Sequence, residues 1–227
     1  MIRLSGAGVR YGERWALRGV DLELTERKVA VLGANGSGKS TLARLLNGLV
    51  EPTEGTVTVG GDDTVRHGHR VRQRVGFVFT DPDAQIVMPT VAEDVAFSLR
   101  RLRLPRAEVA ERVASTLRRF DLDGHADHPA HLLSGGQKQL LALASVLVTE
   151  PEVLVCDEPT TLLDLRNTRR VGALLLALPQ QVVLVTHDLD LVGGWDRVLV
   201  VDGGRVVADG APAEAVARYR ALVADGA

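Results

Sequence analysis

Cysteine, aromatic residues and long apolar runs are all scarce in this chain of 227 residues. The single cysteine, Cys156, excludes an internal disulfide and is typical of a reducing compartment such as the cytosol. No apolar stretch approaches the ~20 residues that a membrane-spanning helix needs, and one of the longest covers only residues 140–148. A net charge of −2 gives no general attraction to nucleic acid or anionic lipid. What remains is an ordinary globular composition, 45% hydrophobic and 25% charged.

A glycine-rich segment is the strongest local signal. Residues 33–40 have the sequence GANGSGKS and fit the phosphate-loop pattern G-x-x-x-x-G-K-[S/T]. The apolar run 29–32 before it predicts a buried strand, and 41–46 after it predicts a helix. Such a loop directs several backbone N–H groups and a helix N-terminus at one phosphate chain. Lys39 would reach the β- and γ-phosphates, and the Ser40 hydroxyl would ligate Mg²⁺. The pattern therefore predicts a nucleoside triphosphate site made of Gly33, Ala34, Asn35, Gly36, Ser37, Gly38, Lys39, Ser40 and Thr41.

Further motifs follow in a fixed order along the chain. Residues 133–137 have the sequence LSGGQ, and the apolar run 153–156 ends in Asp157 and Glu158. Leu163-Asp164 comes next, and His187 follows the apolar run 182–185. Tyr11 precedes Gly33 by 22 positions. In order and spacing, this set resembles the ATP-binding-cassette (ABC) ATPases, and the resemblance extends from the first strand to about residue 210.

The resemblance implies a role for each motif, with ATP and Mg²⁺ as cofactors. Asp157 would hold Mg²⁺ together with Ser40, and Glu158 would act as general base or water-positioner. His187 would contact the γ-phosphate beside Lys39, and Tyr11 would stack on adenine. The family's signature, which is the LSGGQ segment at 133–137, and the segment at Asp164 would serve the nucleotide of a second ATPase subunit, a homodimer being the expected arrangement. The implied contact residues of these last motifs are Ser134, Gly135, Gly136, Gln137 and Asp164.

The implied fold is α/β: a P-loop NTPase with a RecA-like parallel-sheet core, an N-terminal antiparallel β subdomain and an inserted helical subdomain at about 85–148. We expect all of this in one ABC ATPase domain, 1–227. Alternating or apolar patterns predict strands at 2–11, 15–24, 55–59, 75–79, 153–157 and 182–186. A capping box at 90–93 predicts a helix toward Leu102, Pro105 starts the next, and a third is expected from Lys138 to Val148.

The segment after the fourth of these predicted strands departs from most of the family. Thr80, a shorter side chain, stands where a glutamine that touches Mg²⁺ is usual, and Gln85 is five residues further on. Residues 80–91 still resemble the energy-coupling-factor (ECF) importers, in which a Pro-Asp-x-Gln stretch docks a membrane scaffold protein. The threonine form is most similar to the biotin-importer ATPase.

The partners implied by this resemblance are a transmembrane scaffold and a substrate-binding membrane component. We therefore expect a peripheral protein on the cytoplasmic face of the cell membrane, powering uptake of biotin. A cobalt or nickel ECF importer is the alternative, and a soluble ABC ATPase outside transport is a more distant one.

A basic run at 66–74 raises the question of nucleic-acid binding. It lacks interleaved aromatic residues, and the chain is net acidic. We interpret the run as a solvated turn between strands and expect no nucleic-acid partner.

Overall fold

The computed structural model describes residues 1–225. Its strands are β1 (Ile2–Tyr11), β2 (Arg14–Leu24), β3 (Lys28–Leu32), β4 (Glu54–Val59), β5 (Asp62–Asp63), β6 (Val75–Val78), β7 (Val153–Asp157), β8 (Gln181–Val185), β9 (Arg197–Asp202) and β10 (Arg205–Gly210). Its helices are α1 (Lys39–Asn47), α2 (Gly68–Arg74), α3 (Val91–Leu99), α4 (Arg106–Arg119), α5 (Gly135–Leu147), α6 (Leu165–Ala177) and α7 (Pro212–Asp225).

The strands form two sheets. A four-stranded antiparallel sheet has the order β2-β1-β4-β5, and a six-stranded sheet has the order β10-β9-β3-β8-β7-β6. Within the larger sheet, β9, β3, β8, β7 and β6 are all parallel, and only β10 is antiparallel to its neighbour β9. The carboxyl ends of β3 and β7 therefore meet at one edge of the sheet, which is where the predicted phosphate loop and Asp157 follow.

The central strands are buried on both faces, which explains their unbroken apolar runs. Because side chains alternate across a strand, each strand contributes to two cores. Val29, Val31 and Val155 face the core that contains α1 and the antiparallel sheet. Leu32, Leu154 and neighbours face the core that contains α3, α5 and α6. The sheet thus separates the N-terminal layer from the helical layer, and the two layers pack on its opposite faces.

The helical layer lies where the sequence predicts it, with some shifted boundaries. The capping box at Thr90 is formed, and α3 ends at Leu99 before a 3₁₀ turn at Arg100–Leu102. Pro105 is the N-cap of α4 and not its first residue. Helix α5 begins at Gly135, three residues before the predicted start, because Ser134 and Gln137 form a second capping box.

The basic run is not the turn that the sequence suggests. Residues 68–74 form α2, whose end leads directly into β6. Val71 is fully buried there, while Arg70 and Arg72 point to the surface, so the helix has one apolar contact and a solvated basic face.

Candidate nucleotide-binding site

The phosphate loop joins β3 to α1 as predicted. Gly33, Gly36 and Gly38 have φ values of 156°, 78° and 111°, which disfavour other residues. Space adds a second requirement: a Cβ on Gly33 would lie 2.2 Å from the Val201 carbonyl oxygen, and one on Gly38 would lie 2.4 Å from that of Ala16. Backbone angle and space both favour glycine at positions 33 and 38, and the backbone angle alone favours it at position 36. The loop ends at the N-terminus of α1, where N–H groups are free for an anion.

Lys39 is the first residue of α1 and is only 4% exposed. Its Nζ donates to the Ala34 carbonyl oxygen at 2.9 Å and lies 3.6 Å from Glu158 Oε1. The Ser37 hydroxyl is buried beside it without a hydrogen-bond partner. A buried cation and an unpartnered donor in one glycine cradle fit an anionic ligand such as a phosphate chain.

Ser40 and Asp157 meet across the edge of the sheet. Ser40 Oγ donates to Asp157 Oδ1 at 2.8 Å, and Arg44 Nη2 lies 3.8 Å from Asp157 Oδ2. Burial raises the pKa of Asp157, while the Ser40 hydrogen bond and the Arg44 charge lower it in part. Hydroxyl and carboxylate oxygens are the donors that Mg²⁺ prefers, so the pair fits the predicted metal. Among residues 1–225, no group of three or more His, Cys, Asp or Glu side chains could hold a metal by itself.

Glu158 follows β7 in a strained conformation with φ 51°. Its backbone N–H donates to the Val185 carbonyl oxygen at 2.9 Å, which fixes the turn against β8. The carboxylate Oε2 accepts from Thr161 Oγ1 at 2.9 Å and contacts His187 Nδ1 at 3.0 Å. Since a carboxylate only accepts, this arrangement requires the proton of His187 on Nδ1. Glu158, Lys39 and His187 thus form one polar cluster at the open end of the loop.

The open side of the loop is a cavity of about 320 Å³. Tyr11 lies on its wall and is 56% exposed, as a platform for a flat ring requires. The other lining residues are Arg14, Ala16, Asn35, Gly36, Gly38, Lys39, Ser40, Thr41 and Glu158.

The signature residues lie elsewhere. None of Ser134, Gly135, Gly136, Gln137 and Asp164 lines this cavity. Ser134 and Gln137 cap α5, and Asp164 caps α6 by accepting from the Asn167 N–H at 2.8 Å. A Cβ on Gly136 would lie 2.7 Å from the Asn167 side chain, so the two helix starts pack together. One chain therefore presents two separate groups of predicted nucleotide contacts.

Three contacts around the carboxylates were missed by sequence reasoning. They are the Thr161 hydroxyl on Glu158, the Arg44 guanidinium near Asp157, and the Thr80 hydroxyl, which donates to the Asp157 carbonyl oxygen at 2.7 Å. Thr80 thus contacts the backbone of Asp157 and not its carboxylate. Of these three contacts, only the one made by Thr80 is indicated by the sequence, because Thr80 stands where the family has glutamine.

Comparison with known proteins identifies the family. Residues 17–161 match the family described as "ABC transporter". The chain is 47% identical to the biotin transport ATP-binding protein BioM of Rhizobium etli, over 98% of this chain and 99% of that protein. It is 41% identical to the energy-coupling factor transporter ATP-binding protein EcfA of Methanothermobacter thermautotrophicus, over 88% of this chain and 67% of that one.

Solved structures agree with this assignment. The fold matches cbiO1 of Clostridium perfringens, described as part of the ABC transporter complex cbiONQ, with a TM-score of 0.85 and 33% identity, covering 97% of this chain and 92% of that one. It also matches the dimeric structure of a bacterial ABC transporter cassette, with a TM-score of 0.83 and 29% identity, covering 93% and 99%. The predicted fold class is confirmed by these neighbours.

Within residues 1–225, no helix combines the length and apolar character needed to cross a membrane. These relatives confirm the resemblance to the ECF-type ATPases that the phosphate loop and the two carboxylates at the end of β7 indicate. The chain belongs to the ABC transporter family as an ATP-binding subunit that hydrolyses ATP.

Proposed function

We propose that this chain is the ATP-hydrolysing subunit of an ECF-type importer that takes up biotin. The observation that carries the proposal is the near full-length similarity to the biotin transport protein of Rhizobium etli, combined with a cavity lined by Tyr11, Lys39 and Glu158. Import of cobalt or nickel by an ECF-type transporter is the second candidate, because the 41% identity to EcfA of Methanothermobacter thermautotrophicus, whose name gives no cargo, supports the ECF type without specifying biotin.

The residues of the site divide the work of hydrolysis. The loop amides and Lys39 hold the phosphate chain, and Tyr11 holds the adenine ring. Ser40 and Asp157 would hold Mg²⁺, which would neutralise charge on the phosphate oxygens. Glu158 accepts a proton from the attacking water, and its hydrogen bonds to Thr161 and His187 fix the direction of its carboxylate. His187, half exposed at the mouth of the site, contacts the γ-phosphate.

Two chains are needed for a complete site in this proposal. Ser134, Gly135, Gly136, Gln137 and Asp164 do not reach the cavity of their own chain, and we infer that they contact the nucleotide of a second copy. Residues 1–227 would act as one ABC ATPase domain, with the helices at about 85–148 as its inserted subdomain. The dimeric relative supports this arrangement.

We further infer that the chain lies on the cytoplasmic face of the cell membrane, against a transmembrane scaffold and a substrate-binding membrane component. An apolar groove of about 580 Å³ between β6, α3 and α5 supports a docked partner helix, with Phe77, Phe79 and Phe97 on its walls.

The experiment is capture of the tagged chain from detergent-solubilised native membranes, followed by mass spectrometry and uptake of labelled biotin, cobalt and nickel by the same cells. Co-purification of a polytopic scaffold with loss of biotin uptake in the Lys39→Ala variant supports the proposal. Loss of metal uptake with intact biotin uptake favours the second candidate. Ribosomal or DNA-bound partners alone would overturn the transport role.

A further inference from the structure

The side-chain amide of Gln137, the last residue of the signature, is bound at both ends. Its Oε1 accepts from the Ser134 backbone N–H at 2.9 Å, which is half of the capping box that begins α5. Its Nε2 lies 2.9 Å from His125 Nε2, and His125 Nδ1 lies 2.8 Å from His128 Nδ1. Three side chains therefore form one continuous series of hydrogen bonds that ends at the start of α5.

The first of these bonds fixes the direction of the others. Because the Ser134 N–H can only donate, the atom that faces it is the Gln137 oxygen, and the Gln137 NH₂ group faces His125. An NH₂ group only donates, so His125 Nε2 carries no proton and His125 Nδ1 carries one. That proton is donated to His128 Nδ1, which is bare in turn. The arrangement therefore exists only when both imidazoles are neutral.

One added proton breaks the series. If His125 takes it up, its Nε2–H faces the Gln137 NH₂ group, and two donors meet. If His128 takes it up, two Nδ1–H groups face each other, unless the His125 proton moves to Nε2 and again faces Gln137. Turning the amide over relieves this contact only by placing the NH₂ group against the Ser134 N–H, which breaks the capping box. Imidazole is the side chain that changes its charge between pH 5 and 8.

Backbone hydrogen bonds hold the two rings in place. The His128 N–H donates to the His125 carbonyl oxygen at 2.9 Å. The carbonyl oxygens of Ala126 and His128 accept from the N–H groups of Ala92 and Val91, in the first turn of α3, at 2.9 and 3.2 Å. The rings are therefore presented by a backbone that is bound to α3, and protonation acts on the side chains alone.

Charged side chains of both signs lie on the elements that border the pair. Those already committed to other bonds are Glu93 and Asp94 on α3, Lys138 on α5 and Arg170 on α6. The exposed ones near the pair in sequence are Arg118 and Arg119 at the end of α4, and Asp123 and Asp127 beside the two rings. Since neither sign dominates, the hydrogen-bond pattern itself is what distinguishes the neutral pair from the protonated one.

We propose that His125 and His128 are positioning residues for the signature: they fix the Gln137 amide while both are neutral, and a proton on either releases it. The inference rests on the proposed two-chain site, in which the signature contacts the nucleotide of a partner chain. Neither histidine lines the nucleotide cavity of its own chain, so the pair acts on turnover and not on the binding of ATP to the single chain.

Two substitutions of His125 separate positioning from packing. His125→Gln keeps an acceptor for the Gln137 amide in a side chain that does not titrate, and His125→Leu removes the acceptor. His131→Gln is the matched control, because His131 is exposed in the same segment and its ring takes part in none of these bonds. For each full chain we would measure kcat, ATP affinity and Tm at pH 7.5 and pH 6.0 in the presence of Mg²⁺.

At pH 7.5, His125→Gln should keep kcat within about twofold of wild type, and His125→Leu should lower it about fivefold, the order of magnitude of one lost capping bond. Between pH 7.5 and 6.0, wild type should lose about threefold more of its kcat than His125→Gln loses. Any effect of pH on Glu158 or His187 is common to both chains and cancels in this ratio. His131→Gln should follow wild type at both pH values.

The positions of the protons can also be observed without turnover. Long-range proton–nitrogen NMR spectra of the labelled wild-type chain at pH 7.5 should show the proton of His125 on Nδ1 and that of His128 on Nε2. A His125 ring that carries its proton on Nε2, or that is charged at this pH, refutes the arrangement.

A ratio of wild-type to His125→Gln kcat that is the same at both pH values refutes the positioning role. So does a His125→Leu chain with wild-type kcat at pH 7.5, or a His125→Gln chain that is as slow as His125→Leu. In each case an active wild-type chain leaves the proposed function standing. A wild-type chain without Mg²⁺-dependent turnover refutes the proposed function, and this inference with it.

Discussion

The Ser40 hydroxyl donates a hydrogen bond of 2.8 Å to Asp157 Oδ1, joining residues that are 117 positions apart. Ser40 is in the first turn of α1, and Asp157 is the last residue of β7. The bond joins the start of α1 to the end of β7, and Asp157 is only 1% exposed. Function and stability conflict at such a position, because a metal-binding carboxylate must be charged where burial favours the neutral form.

Asp157→Asn should therefore stabilise the nucleotide-free chain while abolishing turnover. Burial raises the pKa of Asp157, so the native state binds more protons than the unfolded state between the ordinary value, about 3.9, and the raised one. The free energy of unfolding therefore decreases as pH rises through that window. Asparagine does not ionise, so the Asp157→Asn chain does not undergo this decrease. We expect a higher Tm than wild type at pH 7.5 and a difference that shrinks toward pH 4. Calorimetry at both pH values checks this.

Asp202→Asn, at the exposed end of β9, is the control and should leave Tm nearly unchanged. An Asp157→Asn chain that is less stable than wild type at pH 7.5 would show that the carboxylate contributes more through its bonds to Ser40 and Arg44 than burial costs.

The phosphate loop could be predicted because its glycines are dictated by local geometry. Gly33 and Gly38 have positive φ values and lie where a Cβ would clash with a backbone carbonyl oxygen. The loop conformation therefore requires glycine at these positions, and the glycine pattern in the sequence predicts the loop. The parallel strands were predictable for a similar reason, since burial on both faces requires unbroken apolar runs.

The start of α5 and the whole of α2 were not predicted correctly. Gly135 and Gly136 have low helix propensity, but the Ser134–Gln137 capping box stabilises the helix from Gly135, three residues before the predicted start at Lys138. Helix α2 packs through a single buried side chain, Val71, and the pattern of charges at 66–74 does not by itself predict a helix. Contacts such as Thr161 on Glu158 depend on a strained turn whose side-chain directions have no sequence signature.

Cys156 should be inert in the folded protein. It is fully buried in the central strand β7, and burial, with a smaller contribution from Asp157, raises the pKa of its thiol far above the ordinary range. Since the thiolate is the reactive form, iodoacetamide at pH 8 should modify the native chain only as fast as the sheet opens. Mass spectrometry over hours measures this, with the chain in guanidinium as the fast control. Complete labelling within minutes under native conditions would contradict the burial of β7.

We expect Thr161 to affect the rate of ATP hydrolysis and not the affinity for ATP. Its hydroxyl donates to Glu158 Oε2, the same oxygen that contacts His187, and it does not line the cavity. Thr161→Val keeps the shape and loses the bond, so we expect kcat to fall a few-fold to about tenfold with the ATP affinity unchanged. Thr161→Ser keeps the hydroxyl and should restore most of the rate. Equal kcat for valine and serine at this position would show that His187 alone orients the carboxylate.

Glu158→Gln should trap two chains around ATP. The amide keeps an acceptor for Thr161 or His187 but cannot take the proton of water, so turnover should fall ~10²–10⁴-fold while ATP still binds. The signature residues are absent from the cavity of their own chain, so the unhydrolysed nucleotide should hold a second copy. Light scattering after gel filtration should give a dimer with ATP and a monomer with ADP. Normal turnover would refute Glu158 as the base.

Adding Gly135→Asp to this variant tests where the signature acts. The nearest heavy atom to a Cβ at Gly135 is 4.0 Å away, the Leu162 carbonyl oxygen, so the chain has room for the new side chain. An acidic residue in the first turn of α5 also suits the helix dipole. The double variant should therefore fold and bind ATP as Glu158→Gln does, yet stay monomeric, because the new carboxylate would face the phosphates bound by the partner. If it dimerises with ATP as well as Glu158→Gln alone, or if Glu158→Gln itself is only monomeric with ATP bound, the two-chain site is wrong for the isolated protein.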